Sequence, residues 1–150
     1  MNIKIRSAKK TDGNEIIALI EELAMFEKLP PPDKNAKNRL LRDAFGNNPL
    51  FFILVAEDEH EIVGYAFYFF TYSSFLAKRT LYLEDIFITE SRRNHGIGKL
   101  FWNKLLNIAG KNSCGRMEWC VLDWNKNAIG FYEKLGAGEL KEWKYYRLSL

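Results

Sequence analysis

The sequence predicts an α/β fold with elements in the order β-α-α-β-β-β-α-β-α-β, and three observations carry that expectation. Ile3 and Ile5 alternate with polar residues and are followed by a helically spaced apolar run. Three stretches rich in aromatic and β-branched residues then succeed one another between turn residues. At Gly98 the apolar period changes from two to that of a helix.

Taken in order, "NIKIRSA" reads as a half-buried strand, and "TDGNEIIALIEELAMFEKL" as a helix capped at Thr11 or Asp12. Pro30 to Pro32 stop it. A weaker helix, "KNAKNRLLRDAF", runs to the turn "GNNP". "LFFILVAED", "EIVGYAFYFFTY" and "RTLYLEDIFIT", separated by "EDEHE" and "SSFLAK", should form an antiparallel meander. From Gly98, Leu100, Phe101, Leu105 and Ile108 share a helical face; "RMEWCVLDW" is a strand, "NAIGFYEKL" a short helix ending at Gly136, and "KYYRLSL" a last strand.

A chain of 150 residues, 47% hydrophobic and 27% charged, suits one well-buried core, so a single domain over 1–150 is expected. The net charge of +3 and the lack of a long like-charge block argue for neither a nucleic-acid footprint nor a membrane surface. The apolar runs fall short of a membrane span, and "MNIKIRSAKK" lacks a signal-peptide core, so a soluble, cytoplasmic protein is expected. Cys114 and Cys120 form no ligand pair; both read as reduced thiols, and no metal site is expected.

The chemistry-bearing stretch is "RRNHGIG", a turn that leaves a strand and enters a helix, where unpaired amides and the helix dipole favour an anion. A P-loop would need glycine at Arg93 and a hydroxyl at Leu100, and G-x-G-x-x-G is absent. The pattern present is R-x-x-G-x-G, from Arg93 to Gly98, with charge from the arginine and backbone access from the glycines. An ordinary Gly-rich turn is the plain alternative.

With "WNKNAIGFYEKLGA" further on, the arrangement resembles the GNAT (Gcn5-related N-acetyltransferase) superfamily. "IRSA", "ELAMFEK", "AFGNNP", "YFFTY", "LYLEDIFI" and "GIG" extend the resemblance, over nearly the whole chain, to the diamine (spermidine/spermine) N-acetyltransferases and their thialysine-acetylating relatives. It implies a mixed, mostly antiparallel sheet flanked by helices, acetyl-CoA as co-substrate and a homodimer. By resemblance, Arg93, Asn94, His95, Gly96, Ile97, Gly98 and Lys99 hold the pyrophosphate. Ile86, Phe87 and Ile88 offer backbone groups to pantetheine, joined by Asn125, Lys126, Asn127 and Ala128. Asn125 also reads as a helix N-cap.

Acetyl transfer to an amine needs a neutral nitrogen, a site for the oxyanion and a proton for the departing thiolate. Glu84 is the candidate proton acceptor: it adjoins Asp85 in an otherwise apolar strand, and two adjacent acids cannot both face a core without cost. One of them pointing to solvent at a bulge is the plain alternative. Tyr132 is the candidate acid, since a phenol is protonated at neutral pH; packing on the sheet is its alternative. The resemblance favours the functional reading of both.

Phe26, Glu27, Asp85 and Trp119 are the remaining expected contacts to the amine. The aromatic residues otherwise read as core or dimer surface. His60 reads as exposed, and His95 as a contributor of backbone. Phe26 stands where tyrosine is usual, and Ser73 and Phe75 where aspartate and tryptophan are expected. A short diamine or a thialysine-like amino acid therefore fits as well as a long polyamine. The alternatives are acetylation of protein N-termini or lysines, and a non-catalytic acyl-CoA-binding regulator.

Overall fold

In the computed structural model, which describes residues 2–150, five strands form one sheet in the order β1-β2-β3-β4-β5. These are β1 (Ile3–Ser7), β2 (Phe52–Asp58), β3 (Glu61–Ser73), β4 (Lys78–Ile88) and β5 (Arg116–Trp119). β1 to β4 pair antiparallel, and β4 pairs parallel with β5. The helices of this part are α1 (Gly13–Glu27), α2 (Lys34–Phe45) and α3 (Ile97–Lys111). The sheet and these helices form one compact unit that ends at Trp119; residues Cys120–Leu150 form a second, which holds α4 (Lys126–Lys134).

Both faces of the sheet are covered, which explains why β2 reads as a continuous apolar run rather than an alternating one. Ile53 and Val55 join Ile62, Tyr65, Phe87 and the α1 residues Ile16 and Leu19. Leu54 and Ala56 face the other way, into Val63, Ala66, Leu81, Leu83 and the α3 residues Ile97, Phe101 and Leu105. The buried stripe of α3 is Ile97, Phe101, Trp102, Leu105 and Ala109. Leu100, expected on that face, is 41% exposed.

Asp12 takes the N-cap position of α1 without a side-chain cap bond. Its carboxylate instead accepts from both Arg6 terminal nitrogens, at 2.7 and 3.1 Å, and from the Lys9 amide at 2.7 Å. The Arg6 bonds hold the carboxyl below its usual range despite burial. At its other end α1 stops at Glu27, three residues before the first proline, because Lys28 adopts a left-handed conformation. Asp33 caps α2 through a bond from the Ala36 amide.

Two expectations at the chain's end are corrected. β5 stops at Trp119 rather than continuing to Trp124, and "KYYRLSL" forms no strand. Tyr145, Tyr146 and Leu148 are each more than 70% exposed. Their alternating pattern is that of a strand, but a strand exists only where a neighbouring backbone pairs with it.

Candidate active site

The strand pairing of β4 changes at Glu84. Up to Leu83 it pairs with β3 on one side and with β5, from Thr80 to Leu83, on the other. Phe67 of β3 lies opposite Asp85 and Tyr68 opposite Leu83, so Glu84 is the extra residue of a bulge. Beyond it, Asp85 to Ile88 stay paired to β3 alone, and the β5 ladder does not extend to them. The backbone of Ile86, Phe87 and Ile88 therefore has one edge outside the β4–β5 ladder. Gly64 makes the other edge close: a Cβ there would lie 2.7 Å from the Phe87 carbonyl oxygen.

The bulge separates the two acids. Glu84 is exposed and Asp85 half-buried. In register with Phe67, Asp85 lies toward α1, where Glu27 occupies the helix's last turn. Burial pushes the Asp85 carboxyl up to about 7, with the charges of Glu84 and Glu27 adding to the rise and the Tyr65 hydroxyl opposing it. Glu27 is also raised, by burial. The charges of Glu84 and Glu27 and the negative end of the α1 dipole thus all disfavour a further negative charge at Asp85.

The turn after β4 behaves partly as expected. Asn94 and Gly96 take positive φ, 64° and 78°, and Gly96 is the N-cap of α3. The amides of Ile97, Gly98 and Lys99 open the helix and lack intrahelical acceptors; Leu100 is the first to bond back, to the Gly96 carbonyl. A Cβ on Gly96 would meet nothing within 4 Å, so the turn is open there. Asn94 and His95 are exposed. Open amides at a helix N-terminus fit the pyrophosphate of a coenzyme.

The arginines are engaged within the protein. Arg92 pairs with Asp58 at 3.0 Å and with Glu61 at 3.2 Å. The Arg93 Nε donates to the Ile88 carbonyl at 2.9 Å, and its guanidinium lies over Phe26 at 5.2 Å and Phe87 at 5.4 Å. Arg93 thus ties the end of α1 to the end of β4, a role that its motif position gave no sign of.

Trp119 packs edge-on against Trp102, at 5.2 Å between ring centroids. In the second unit, the Asn125 side chain accepts from the Ala128 amide at 3.2 Å and so caps α4 as expected. Lys126 and Asn127 are exposed in its first turn. Tyr132, on α4, is 8% exposed and touches Phe131 at 5.3 Å between ring centroids.

Sequence reasoning missed Tyr65. It lies in the run "YAFYFFTY" and is fully buried, yet its hydroxyl makes no hydrogen bond of ordinary geometry. Burial and the charges of Asp85, Glu27 and Glu84 raise it. No local pattern distinguishes this tyrosine from its aromatic neighbours.

A one-sided β-edge thus leads into an open, left-handed turn and a helix N-terminus. Residues 16–137 match the model of the Acetyltransferase (GNAT) family. The chain belongs to that family. A mouse (Mus musculus) thialysine N-epsilon-acetyltransferase is 39% identical over 97% of this chain and 92% of its own. An L-ornithine N5-acetyltransferase of Arabidopsis thaliana is 48% identical over 59% of this chain and 39% of its own. Among solved structures, a possible acetyltransferase from Clostridium difficile superposes with a TM-score of 0.86 at 20% identity, covering 100% of this chain and 99% of that one. The GNAT resemblance read from the sequence is borne out, as is the mixed, mostly antiparallel sheet. The chain is an N-acetyltransferase of this family. Among the described residues no helix is long and apolar enough to cross a membrane, and no cluster of His, Cys, Asp and Glu could hold a metal.

Proposed function

We propose that this chain transfers the acetyl group of acetyl-CoA to a primary amine of a small molecule, as a cytoplasmic homodimer. The carrying observation is the one-sided β4 edge from Asp85 to Ile88 leading into the open α3 N-terminus, with the charges of Glu84 and Glu27 acting on Asp85 at its start. The amides of the pantetheine arm suit the edge, the coenzyme's pyrophosphate the helix N-terminus, and an ammonium the acidic start of the strand segment. The names of the thialysine and L-ornithine acetyltransferases support a short diamine or amino acid as acceptor. Acetyl-CoA supplies an activated acyl carbon and a thiolate leaving group.

The residues of this chain supply the rest. The backbone of Ile86 to Ile88 aligns the pantetheine arm, joined by Asn125 to Ala128. Residues Asn94 to Lys99 hold the pyrophosphate through amides, with Arg93 fixing the turn that presents them. Phe26 and Trp119 border the amine, Glu84 attracts it, and Tyr132 holds the proton for the departing thiolate. Aromatic side chains exposed at Phe75, Trp143, Tyr145 and Tyr146 give a second copy apolar surface to cover.

The test is to mix the protein with acetyl-CoA and diamines, amino acids or peptides, and to follow free thiol. Release with small amines is expected. Release with peptides alone, or coenzyme binding without release, overturns the reading. For Tyr132→Phe, turnover should fall by about 10- to 10,000-fold while coenzyme affinity and melting temperature stay near wild type. Unchanged turnover would leave Tyr132 a packing residue.

A further inference from the structure

The turn that opens α3 is tied to the β2–β3 hairpin by one arginine. That hairpin turns at Glu59 and His60, which take positive φ, 49° and 83°, a conformation that glycine or asparagine adopts more readily. The residues flanking the turn, Asp58 and Glu61, lie opposite each other in the register, and two carboxylates so placed repel. Arg92 joins them: its Nη1 pairs with Asp58 at 3.0 Å and its Nη2 with Glu61 at 3.2 Å. Asp58 is only 5% exposed, and its other oxygen accepts from the Asn2 amide at 3.0 Å, whereas Glu61 is at the surface.

Arg92 ends a short 3-10 helix, Glu90–Arg92, which is fixed to β3 by the bond from the Thr89 amide to the Val63 carbonyl at 3.0 Å. The left-handed Asn94 and Gly96 follow within four residues. A guanidinium between two carboxylates has its charge offset and is poorly suited to hold an anion itself. Its fixed fork is suited to setting the place of the backbone that comes next.

We propose, building on acetyl-CoA as the co-substrate, that Asp58 and Arg92 are positioning residues for the coenzyme: their ion pair seats the segment before Asn94 on the end of β2, and so holds the amides of Ile97, Gly98 and Lys99 where they receive the pyrophosphate. Glu61 closes the fork from the solvent side and contributes less. Arg93 ties the same segment to β4 through the Ile88 carbonyl. The turn is thus held before the ligand arrives, and less ordering is left for binding to impose.

The sign of the Asp58 charge separates positioning from attraction. A carboxylate paired to this turn repels a pyrophosphate, so on charge alone its removal would strengthen coenzyme binding. As a positioning residue, its removal weakens binding.

Coenzyme A titrated calorimetrically into wild type, Asp58→Asn, Arg92→Met, Arg92→Lys, Glu61→Gln and the Asp58→Asn/Arg92→Met double variant measures this. Asp58→Asn should weaken binding by about fivefold, and Arg92→Met by about tenfold or more, since it also leaves a buried carboxylate without its partner. The double variant should bind no worse than Arg92→Met, because both substitutions break one pair. Arg92→Lys, which keeps a cation beside Asp58, should recover most of the loss, and Glu61→Gln should change affinity by less than about twofold. In steady state, KM for acetyl-CoA should rise in the same order, while kcat at saturation and the amine's KM stay near wild type. If Arg92→Met does not fold, the isosteric Asp58→Asn decides by the sign of its effect. Unchanged or tighter binding in Asp58→Asn, losses that add in the double variant, or a loss in kcat as large as the rise in KM overturns the proposal alone. Wild-type protein that binds no coenzyme A overturns the co-substrate reading, and the roles of Asp58 and Arg92 with it.

Discussion

The two halves of β4 differ in almost everything except sequence continuity. From Thr80 to Leu83 the strand is paired on both edges, and Leu81 and Leu83 are buried to within 1%. From Asp85 to Ile88 it is paired to β3 alone, and it carries the half-buried Asp85, Ile86 and Ile88 and the carbonyl that Arg93 holds. One bulged residue, Glu84, divides them. The first half fixes the sheet, and the second half is held from one side so that the other can receive a ligand. A regular ladder would satisfy every backbone group and leave nothing to bind with.

Gly64 is where the contrast breaks most completely. Its absent side chain lets β3 approach the Phe87 carbonyl, and a Cβ would lie within 3.3 Å of Ile88 Cα as well as 2.7 Å from that oxygen. Gly64→Val should destabilise by about 3 kcal/mol or more, as overpacking against backbone does, and should abolish coenzyme binding in whatever folds. Chemical denaturation and calorimetry with coenzyme A measure the two. Wild-type binding would mean that the second half of β4 does not need its β3 contact.

The halves should also respond oppositely to truncation. Leu83→Ala removes a fully buried side chain and should cost about 2–5 kcal/mol, with coenzyme affinity per folded molecule unchanged. Ile86→Ala, half-buried, should cost less than about 1.5 kcal/mol. Equal losses of stability would remove the distinction between a structural and a functional half.

How much of this the sequence discloses depends on whether the cause is local. The three meander strands are found within two residues of their expected ends, because aromatic and β-branched runs between turn residues are local signals. The cap of α4 by Asn125 and the left-handed Gly96 are legible for the same reason. The last expected strand misleads, since "KYYRLSL" has the pattern but no paired neighbour. Arg93 is legible only in part. Its motif position suggests a phosphate ligand, but its contacts come from Phe26 and Phe87, 67 and 6 residues earlier in the chain. Glu84 and Asp85 stand out as a pair, but which of them turns inward depends on the bulge, which follows from the pairing with β3.

Arg93→Ala sharpens the boundary at its far end. It removes the bond to the Ile88 carbonyl and two cation–π contacts, so it should cost about 1–3 kcal/mol of stability and also weaken coenzyme A binding. Loss of affinity at unchanged stability would instead assign the guanidinium directly to phosphate.

The smallest effect is expected at the bulge itself, from Glu84→Gln. Glu84 is exposed, so its attraction for a cationic amine acts through solvent and is screened by salt. The substitution should raise the amine's KM several-fold at low ionic strength, and the difference should fade at high ionic strength. Its second consequence runs through Asp85, which Glu84 pushes upward. With that charge gone, the Asp85 carboxyl ionises at lower pH, so kcat/KM should begin to rise at lower pH than in wild type. Above pH 8, with Asp85 ionised in both proteins, kcat should match. Measuring kcat and KM from pH 5.5 to 9 at low and high salt separates these effects. A large fall in kcat at neutral pH that shrinks as rising pH supplies the free amine would make Glu84 the proton acceptor, and the exposed half of the acid pair would then be the reacting one.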